Sequence, residues 1–264
     1  NSPEWVLMEY ACALSGLVLV TANPAFQTRE LAYVLEQSGA VALFLVEEFR
    51  GNPMSQIGAE VAESIASVRE VTDMETAALY AEGVRSPALS RETPGNAAMI
   101  QYTSGTTGFP KGAVLSHRGL VNNARFYASR CRVTEATTWV NIMPMFHTSG
   151  CGMVTLGCLQ AGCRMVLVSL FDPDEVLDQL EANGADIILG VPTMVVALLE
   201  AQEARPRDLS ALKLVSCGGS MVAPELVRRV QNLMGAEFST LYGQTEYCPV
   251  ITQHHLSDSI DDIC

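Results

Sequence analysis

Basic charge is scarce in this sequence. Sixteen Lys and Arg stand against 29 Asp and Glu, for a net charge of −13. No block of Lys or Arg occurs anywhere along the chain. Nucleic acid is therefore disfavoured as the main partner, since a phosphate backbone demands a basic face. A polybasic patch for a membrane surface is disfavoured for the same reason. The eight cysteines, at 12, 131, 151, 158, 163, 217, 248 and 264, include no CxxC pair. Most sit in apolar runs such as Leu214-Val215-Ser216-Cys217. They read as buried, reduced thiols of a cytoplasmic protein, not as a metal site or a disulfide framework.

No apolar run reaches the length of a transmembrane span. The stretch 11–22 is apolar, but Ser15-Gly16 interrupts it and no basic residues precede it. It reads as a buried helix and strand, not a signal peptide. Internal repeats and low-complexity tracts are also missing. The chain opens on Asn1-Ser2-Pro3 without Met and stops at Asp261-Asp262-Ile263-Cys264. These ends read as those of a piece of a longer protein.

What is present supports a sizeable core: 48% of the 264 residues are hydrophobic and 17% are charged. Ser2-Pro3 predicts a helix start, with the helix over 4–15 and a strand over 17–20. Thr28 is expected to cap a helix over 29–37, followed by a strand over 41–46. A helix over 55–65 and a strand over 68–71 follow. The stretch 73–96 is polar and broken by Pro87 and Pro94, as a linker would be. Beyond it, strands over 97–101, 113–115, 138–142, 165–168, 186–189, 212–216 and 238–241 are expected. They alternate with helices over 116–130, 150–160, 173–182, 193–201 and 224–234. Continuous apolar strands between helices predict an α/β fold, its mostly parallel sheets covered on both faces.

Between two of those strands runs Tyr102-Thr103-Ser104-Gly105-Thr106-Thr107-Gly108-Phe109-Pro110-Lys111-Gly112. Glycines let backbone N–H groups approach an anion closely, hydroxyls donate to phosphate oxygens, and Lys111 adds a compact charge. A plain hairpin turn needs fewer residues and fewer hydroxyls. The Walker pattern is absent, because Pro110 precedes the lysine, Gly112 follows it, and a strand comes next. In open α/β sheets, ligands bind at the carboxyl ends of strands. The loops expected there are 144–150, 190–193, 217–220 and 242–246, and together with the phosphate loop they could line one cleft.

These segments resemble a known family. Stretch 102–112 is similar to the signature loop of the adenylate-forming superfamily, the acyl- and aryl-CoA synthetases and their relatives. Tyr242-Gly243-Gln244-Thr245-Glu246 resembles its second nucleotide motif, and Pro144-Met145-Phe146-His147 its acyl-site motif. Val191-Pro192-Thr193, Cys217-Gly218-Gly219-Ser220 and Asn23-Pro24 fit the segments between. The wording is closest to fatty-acyl-CoA synthetases. The resemblance implies that ATP activates a fatty acid to acyl-AMP with release of pyrophosphate, and that coenzyme A then accepts the acyl group.

By resemblance, Thr103, Ser104, Gly105, Thr106, Thr107, Gly108 and Lys111 would hold the phosphates. Thr245 would meet the α-phosphate, and Glu246, with Thr103, would hold Mg²⁺. Tyr242, Gly243, Gly218 and Gly219 would flank the adenine. His147 would stand near the carboxylate, while Gly150, Val191, Met194 and Gly218 would wall the acyl pocket. Catalytic duty would fall to His147, Lys111, Thr245 and Glu246.

The family also carries a small C-terminal domain with a further lysine, which is expected to be missing from this piece. The piece then divides into 1–96, a first α/β part with its linker, and 97–264, the part carrying the motifs. An aryl-CoA ligase, a fatty-acyl-AMP ligase or a noncatalytic nucleotide-binding module are the alternatives. A cytoplasmic place is expected, with peripheral membrane association left open.

Overall fold

The computed structural model describes residues 1–75, 93–103 and 110–259. They form two compact units: Glu4–His117, and Arg118–Cys264 together with Asn1–Pro3.

The first unit opens with helix α1 (Pro3–Ser15). Gly16, at φ 73°, ends it, and the N–H of Leu17 closes on the Cys12 carbonyl at 2.9 Å. That closure delays strand β1 to Leu19–Thr21. Helix α2 spans Thr28–Ser38, and its cap is Gln27, not Thr28. Gln27 and Glu30 bond reciprocally to each other's backbone in a capping box, so Thr28 becomes the first helical residue. Leu31 and Leu35 bury one face of α2 against Leu43 and Leu45 of β2 (Ala42–Leu45) and against Ile57 and Val61 of α3 (Met54–Ser64). Strand β3 (Glu70–Asp73) pairs in parallel with β2. The polar stretch expected over 73–96 falls largely on residues 76–92, outside those described.

Strand β4 (Ala97–Thr103) runs parallel to β1 and antiparallel to β5 (Lys111–Ser116). Their register sets Thr103 opposite Lys111, so these two residues form the stem of the hydroxyl-rich loop.

One group in this unit works against the fold. Glu9 is 5% exposed on α1, and among the described residues neither of its carboxylate oxygens has a hydrogen-bond partner. Desolvation pushes its pKa up to about 8. A raised acid binds its proton more tightly in the folded chain, so stability falls as pH climbs from the unfolded value towards 8 and is level above it. Glu9→Gln is expected to be roughly neutral at pH 4.5 and to stabilise the chain by about 3 kcal/mol at pH 8, as an unpaired buried carboxylate requires. Urea unfolding at both pH values measures this; equal stabilities at pH 8 would contradict it.

The second unit begins its regular structure with α4 (His117–Arg130), which falls within it from Arg118 onward. Among the described residues its sheet has six strands. They are β6 (Thr138–Asn141), β7 (Arg164–Leu167), β8 (Ile187–Gly190), β9 (Leu214–Gly218), β10 (Glu237–Gly243) and β11 (Val250–Gln253). The order is β11-β10-β9-β8-β6-β7, parallel throughout except for β11 at the edge.

Successive residues of each strand point to opposite faces. Val140, Ile188, Val215 and Phe238 therefore meet α6 (Pro173–Asn183), α7 (Pro192–Ala204) and α8 (Pro224–Met234) on one face. Trp139, Ile187, Leu189 and Leu214 meet α4 and α5 (Leu156–Ala161) on the other. The uninterrupted apolar runs thus reflect burial on both sides, as expected from the sequence.

The segment expected as one helix over 150–160 is two. Ser149–Thr155 is a π-helical turn, and α5 follows only from Leu156. Gly150 explains the departure locally. Its backbone lies against the carbonyls of Met143 and Pro144 so closely that a Cβ there would be 2.4 Å from the Pro144 oxygen.

Candidate functional site

Strand order reverses between β6 and β8: the chain leaves β6 for one edge of the sheet and leaves β8 for the other. Such a switch point opens a crevice at the carboxyl ends of the strands. In this unit β6, β8, β9 and β10 are mutually parallel neighbours in the order β10-β9-β8-β6. Their carboxyl ends therefore share one edge, which carries the loops 144–150, 190–193, 217–220 and 242–246.

After β6 the backbone is pinned from several sides. The Asn141 side-chain oxygen accepts from the N–H of Met143 at 3.1 Å, and its amide donates to the Gly150 carbonyl at 3.3 Å. The Asn1 amide donates to the Met143 and Val168 carbonyls at 2.9 and 3.1 Å, while its oxygen accepts from the Met145 N–H at 2.8 Å. His147 donates its backbone N–H to Pro144 at 3.1 Å. Its side chain is exposed, and crowding by the turn lowers the imidazole pKa through desolvation.

The Ser149 N–H donates to Nδ1 of His147 at 3.2 Å, and the Ser149 hydroxyl lies 3.0 Å from the same nitrogen. Nδ1 is therefore an acceptor. The ring is neutral with its proton on Nε2, and an imidazolium would turn a proton onto the Ser149 N–H.

After β8, Val191 precedes Pro192, whose fixed φ suits the first turn of α7. Met194 packs against both cores of the unit. A Cβ on Gly190 would lie 3.4 Å from Val195, 3.7 Å from Ile142 and 3.8 Å from Met194, so these groups meet at the switch point. After β9, Gly218 lies under Leu241, where a Cβ would be 2.7 Å from the Leu241 carbonyl oxygen. Gly219, at φ 86°, turns the chain beside Val191.

At the end of β10 its register with β11 shifts between Tyr242 and Gly243. Tyr242 is exposed, and its hydroxyl accepts from Gln244 at 2.8 Å. Thr245 is buried at the start of a 3₁₀ turn, Thr245–Tyr247, whereas Glu246 on that turn is exposed. No described residue hydrogen-bonds or ion-pairs with the Glu246 carboxylate. Glu246 is a lone exposed carboxylate on its turn, and the described residues include no cluster of three or more His, Cys, Asp or Glu suited to a metal. One carboxylate suits Mg²⁺, which takes few protein ligands and completes its shell with water and phosphate oxygens.

In the first unit, Thr103 and Lys111 face each other across the β4–β5 stem. The Tyr33 hydroxyl donates to the Pro110 carbonyl at 3.0 Å and accepts from Gln37 at 2.8 Å. The Tyr102 hydroxyl donates to Val34 at 3.3 Å. Ser104, Gly105, Thr106, Thr107 and Gly108 lie outside the described residues. His147, Gly150, Val191, Met194, Gly218, Gly219, Tyr242, Gly243, Thr245 and Glu246 are gathered along the carboxyl edge of the second unit's sheet. Buried thiols are not part of this chemistry: burial pushes Cys131 up to about 11 and Cys217 up to about 12, which leaves them inert.

Sequence reasoning missed the asparagines. Asn123 of α4 donates to the Val250 and Tyr247 carbonyls at 2.8 and 3.2 Å and accepts from the Val250 N–H at 3.0 Å. It thereby holds the far end of the loop that carries Thr245 and Glu246. Asn123→Ala is expected to cost about 2 kcal/mol of stability, since three backbone groups lose their partner. Thermal unfolding checks this; a melting temperature equal to the parent's would contradict it. The one signal for Asn141 was a polar residue inside the apolar run Trp139-Val140-Asn141-Ile142.

This fold, with its loops gathered at one strand edge, is a layered and mostly parallel α/β domain with a switch-point crevice. Residues 1–262 match the family described as AMP-binding enzyme, and the chain belongs to it. YngI of Bacillus subtilis (strain 168), assigned by name as an acyl-CoA synthetase, is 33% identical over 98% of this chain and 52% of its own length. The human mitochondrial medium-chain acyl-CoA ligase ACSF2 is 30% identical over 99% of this chain and 48% of its own length. The crystal structure of a long-chain-fatty-acid-CoA ligase (FadD1) from Archaeoglobus fulgidus superposes with a TM-score of 0.89 at 26% identity, covering all of this chain and 54% of that one. The chain spans about half the length of the curated relatives it matches.

Proposed function

We propose that the protein of which this chain forms part activates a fatty acid with ATP and passes the acyl group to coenzyme A. The observation that carries the reading is the shared edge of the sheet. His147, the glycines at 218 and 219, and the Thr245-Glu246 turn follow the parallel strands β6, β9 and β10 of one sheet in a family member. Relatives named as medium-chain and long-chain ligases support an aliphatic carboxylate.

In this reading the carboxylate sits beside His147, whose Nε2–H donates to one carboxylate oxygen and orients the other. That oxygen attacks the α-phosphorus, and pyrophosphate leaves. Thr245 steadies an α-phosphate oxygen as charge develops on it. Lys111 and the hydroxyls from Thr103 to Thr107 hold the departing phosphates, with Gly108 giving the backbone room. Mg²⁺, held through Glu246, would neutralise phosphate charge when bound. Tyr242 and Gly243, with Gly218 and Gly219, flank the adenine. The coenzyme A thiol then attacks the acyl carbon, and AMP leaves.

Gly150, Val191 and Met194 wall the acyl group. The free thiols among the described residues support a reducing compartment, which we read as the cytoplasm. No helix of the described residues is long and apolar enough to cross a membrane.

The test is pyrophosphate exchange by the whole protein across saturated fatty acids, benzoate and o-succinylbenzoate, with and without coenzyme A. Exchange that depends on a fatty acid, and thioester formed only with coenzyme A, are expected. Preference for an aryl acid would replace the substrate, and exchange with no carboxylate would sink the reading.

A further inference from the structure

Two polar side chains are sealed into the interior beside the candidate carboxylate wall. Asn141 is 0% exposed and Thr155 1%. Burying such groups is costly unless they are bonded, and both are. They converge on a single atom, the Gly150 carbonyl oxygen. The Thr155 hydroxyl donates to it at 2.9 Å, and the Asn141 amide at 3.3 Å. The Asn141 oxygen is held in turn by the Met143 N–H at 3.1 Å. One carboxamide thus ties the end of β6 to the π-helical turn, and one hydroxyl closes the turn on itself.

The turn they support is unusual. π-helical turns are rare and are frequently found at functional sites. All seven residues of Ser149–Thr155 are buried. The same turn sets the imidazole of His147, because the His147 carbonyl accepts from the Gly150 and Cys151 N–H groups at 3.0 and 3.2 Å. Close-packed interiors transmit small shifts instead of absorbing them. A change at the Gly150 carbonyl should therefore reach both His147 and the wall beside it.

We infer that Asn141 and Thr155 are positioning residues that set the depth of the acyl pocket through the Ser149–Thr155 turn. The inference rests on the reading of His147 and Gly150 as part of that pocket. Neither residue touches substrate; each acts through the Gly150 carbonyl.

The experiment uses the whole enzyme with fatty acids from four to sixteen carbons. Thr155→Val keeps the side chain's shape and removes its hydroxyl, while Thr155→Ser keeps the hydroxyl. Thr155→Val is expected to raise KM for the preferred acid about fivefold, the loss of one hydrogen bond, and to change the ranking of chain lengths. KM for ATP should stay within about twofold of the parent, and Thr155→Ser should restore the parent profile. Asn141→Ser should shift the acid profile in the same direction, and it carries the test alone if Thr155→Val does not fold.

An unchanged chain-length profile in the folded variants overturns the inference. So does a rise in KM for ATP equal to that for the acid, or failure of Thr155→Ser to rescue. Met194→Ala is measured beside them. If it changes the acid profile while the others do not, the positioning role alone is wrong. If none of them changes it, the reading of the pocket is wrong as well.

Discussion

Glu246→Gln in the whole enzyme is expected to slow pyrophosphate exchange roughly 100-fold at millimolar Mg²⁺, the scale of losing one electrostatic contact that strengthens in a transition state. The substitution keeps the shape and hydrogen-bonding reach of the side chain and removes one negative charge. The parent carboxylate is exposed on its 3₁₀ turn. Replacing it should therefore leave folding stability within about 0.5 kcal/mol, as for other surface positions.

Activity should fall without a matching loss of stability, and rising Mg²⁺ should recover part of the rate. A carboxylate that served only as a solvated surface charge would show neither effect. Exchange within threefold of the parent, at every Mg²⁺ concentration, would remove Glu246 from the metal site. Glu225, exposed on α8 and paired among the described residues only with Arg228 at 3.8 Å, is the matched control, and Glu225→Gln should leave exchange unchanged.

How much of this was legible in the sequence follows from what each residue's surroundings depend on. The βα rhythm was readable because strands such as Ile187–Gly190 are buried on both faces and so carry unbroken apolar runs. The strand-edge loops were readable because turns there require glycine, proline or hydroxyl residues whatever their distant partners. The π-helical turn was not readable. Its local composition, Ser149-Gly150-Cys151-Gly152-Met153-Val154-Thr155, fits a helix of ordinary period. What alters it is a carbonyl shared between Asn141 and Thr155, together with backbone contact from Pro144. Asn123 was hidden for the same reason. Its partners lie 124 and 127 positions away, and nothing in its own helix announces them. Side-chain bonds to distant backbone leave no period in a sequence.

The same backbone contact gives the second large effect. Gly150→Ala is expected to destabilise the chain by about 3 kcal/mol or more, the upper range for overpacking a closed site. The added methyl would stand 2.4 Å from the Pro144 oxygen and 2.7 Å from the Met143 oxygen, and neither is a flexible side-chain tip. Neither carbonyl can retreat cheaply. The Met143 carbonyl accepts from the Asn1 amide at 2.9 Å, and the Met143 N–H is held by Asn141 at 3.1 Å. The Pro144 carbonyl accepts the His147 N–H at 3.1 Å, so pushing it aside also turns the imidazole. Gly152→Ala is the control two residues on. There a methyl would meet Leu120 at 3.4 Å and the Thr148 side chain at 3.7 Å, which is ordinary contact. Gly152→Ala should stay within about 1 kcal/mol of the parent. Urea unfolding of both variants separates the two glycines: equal, small losses would mean that the turn yields at Gly150, and that its close approach to the Pro144 carbonyl is not what holds its shape.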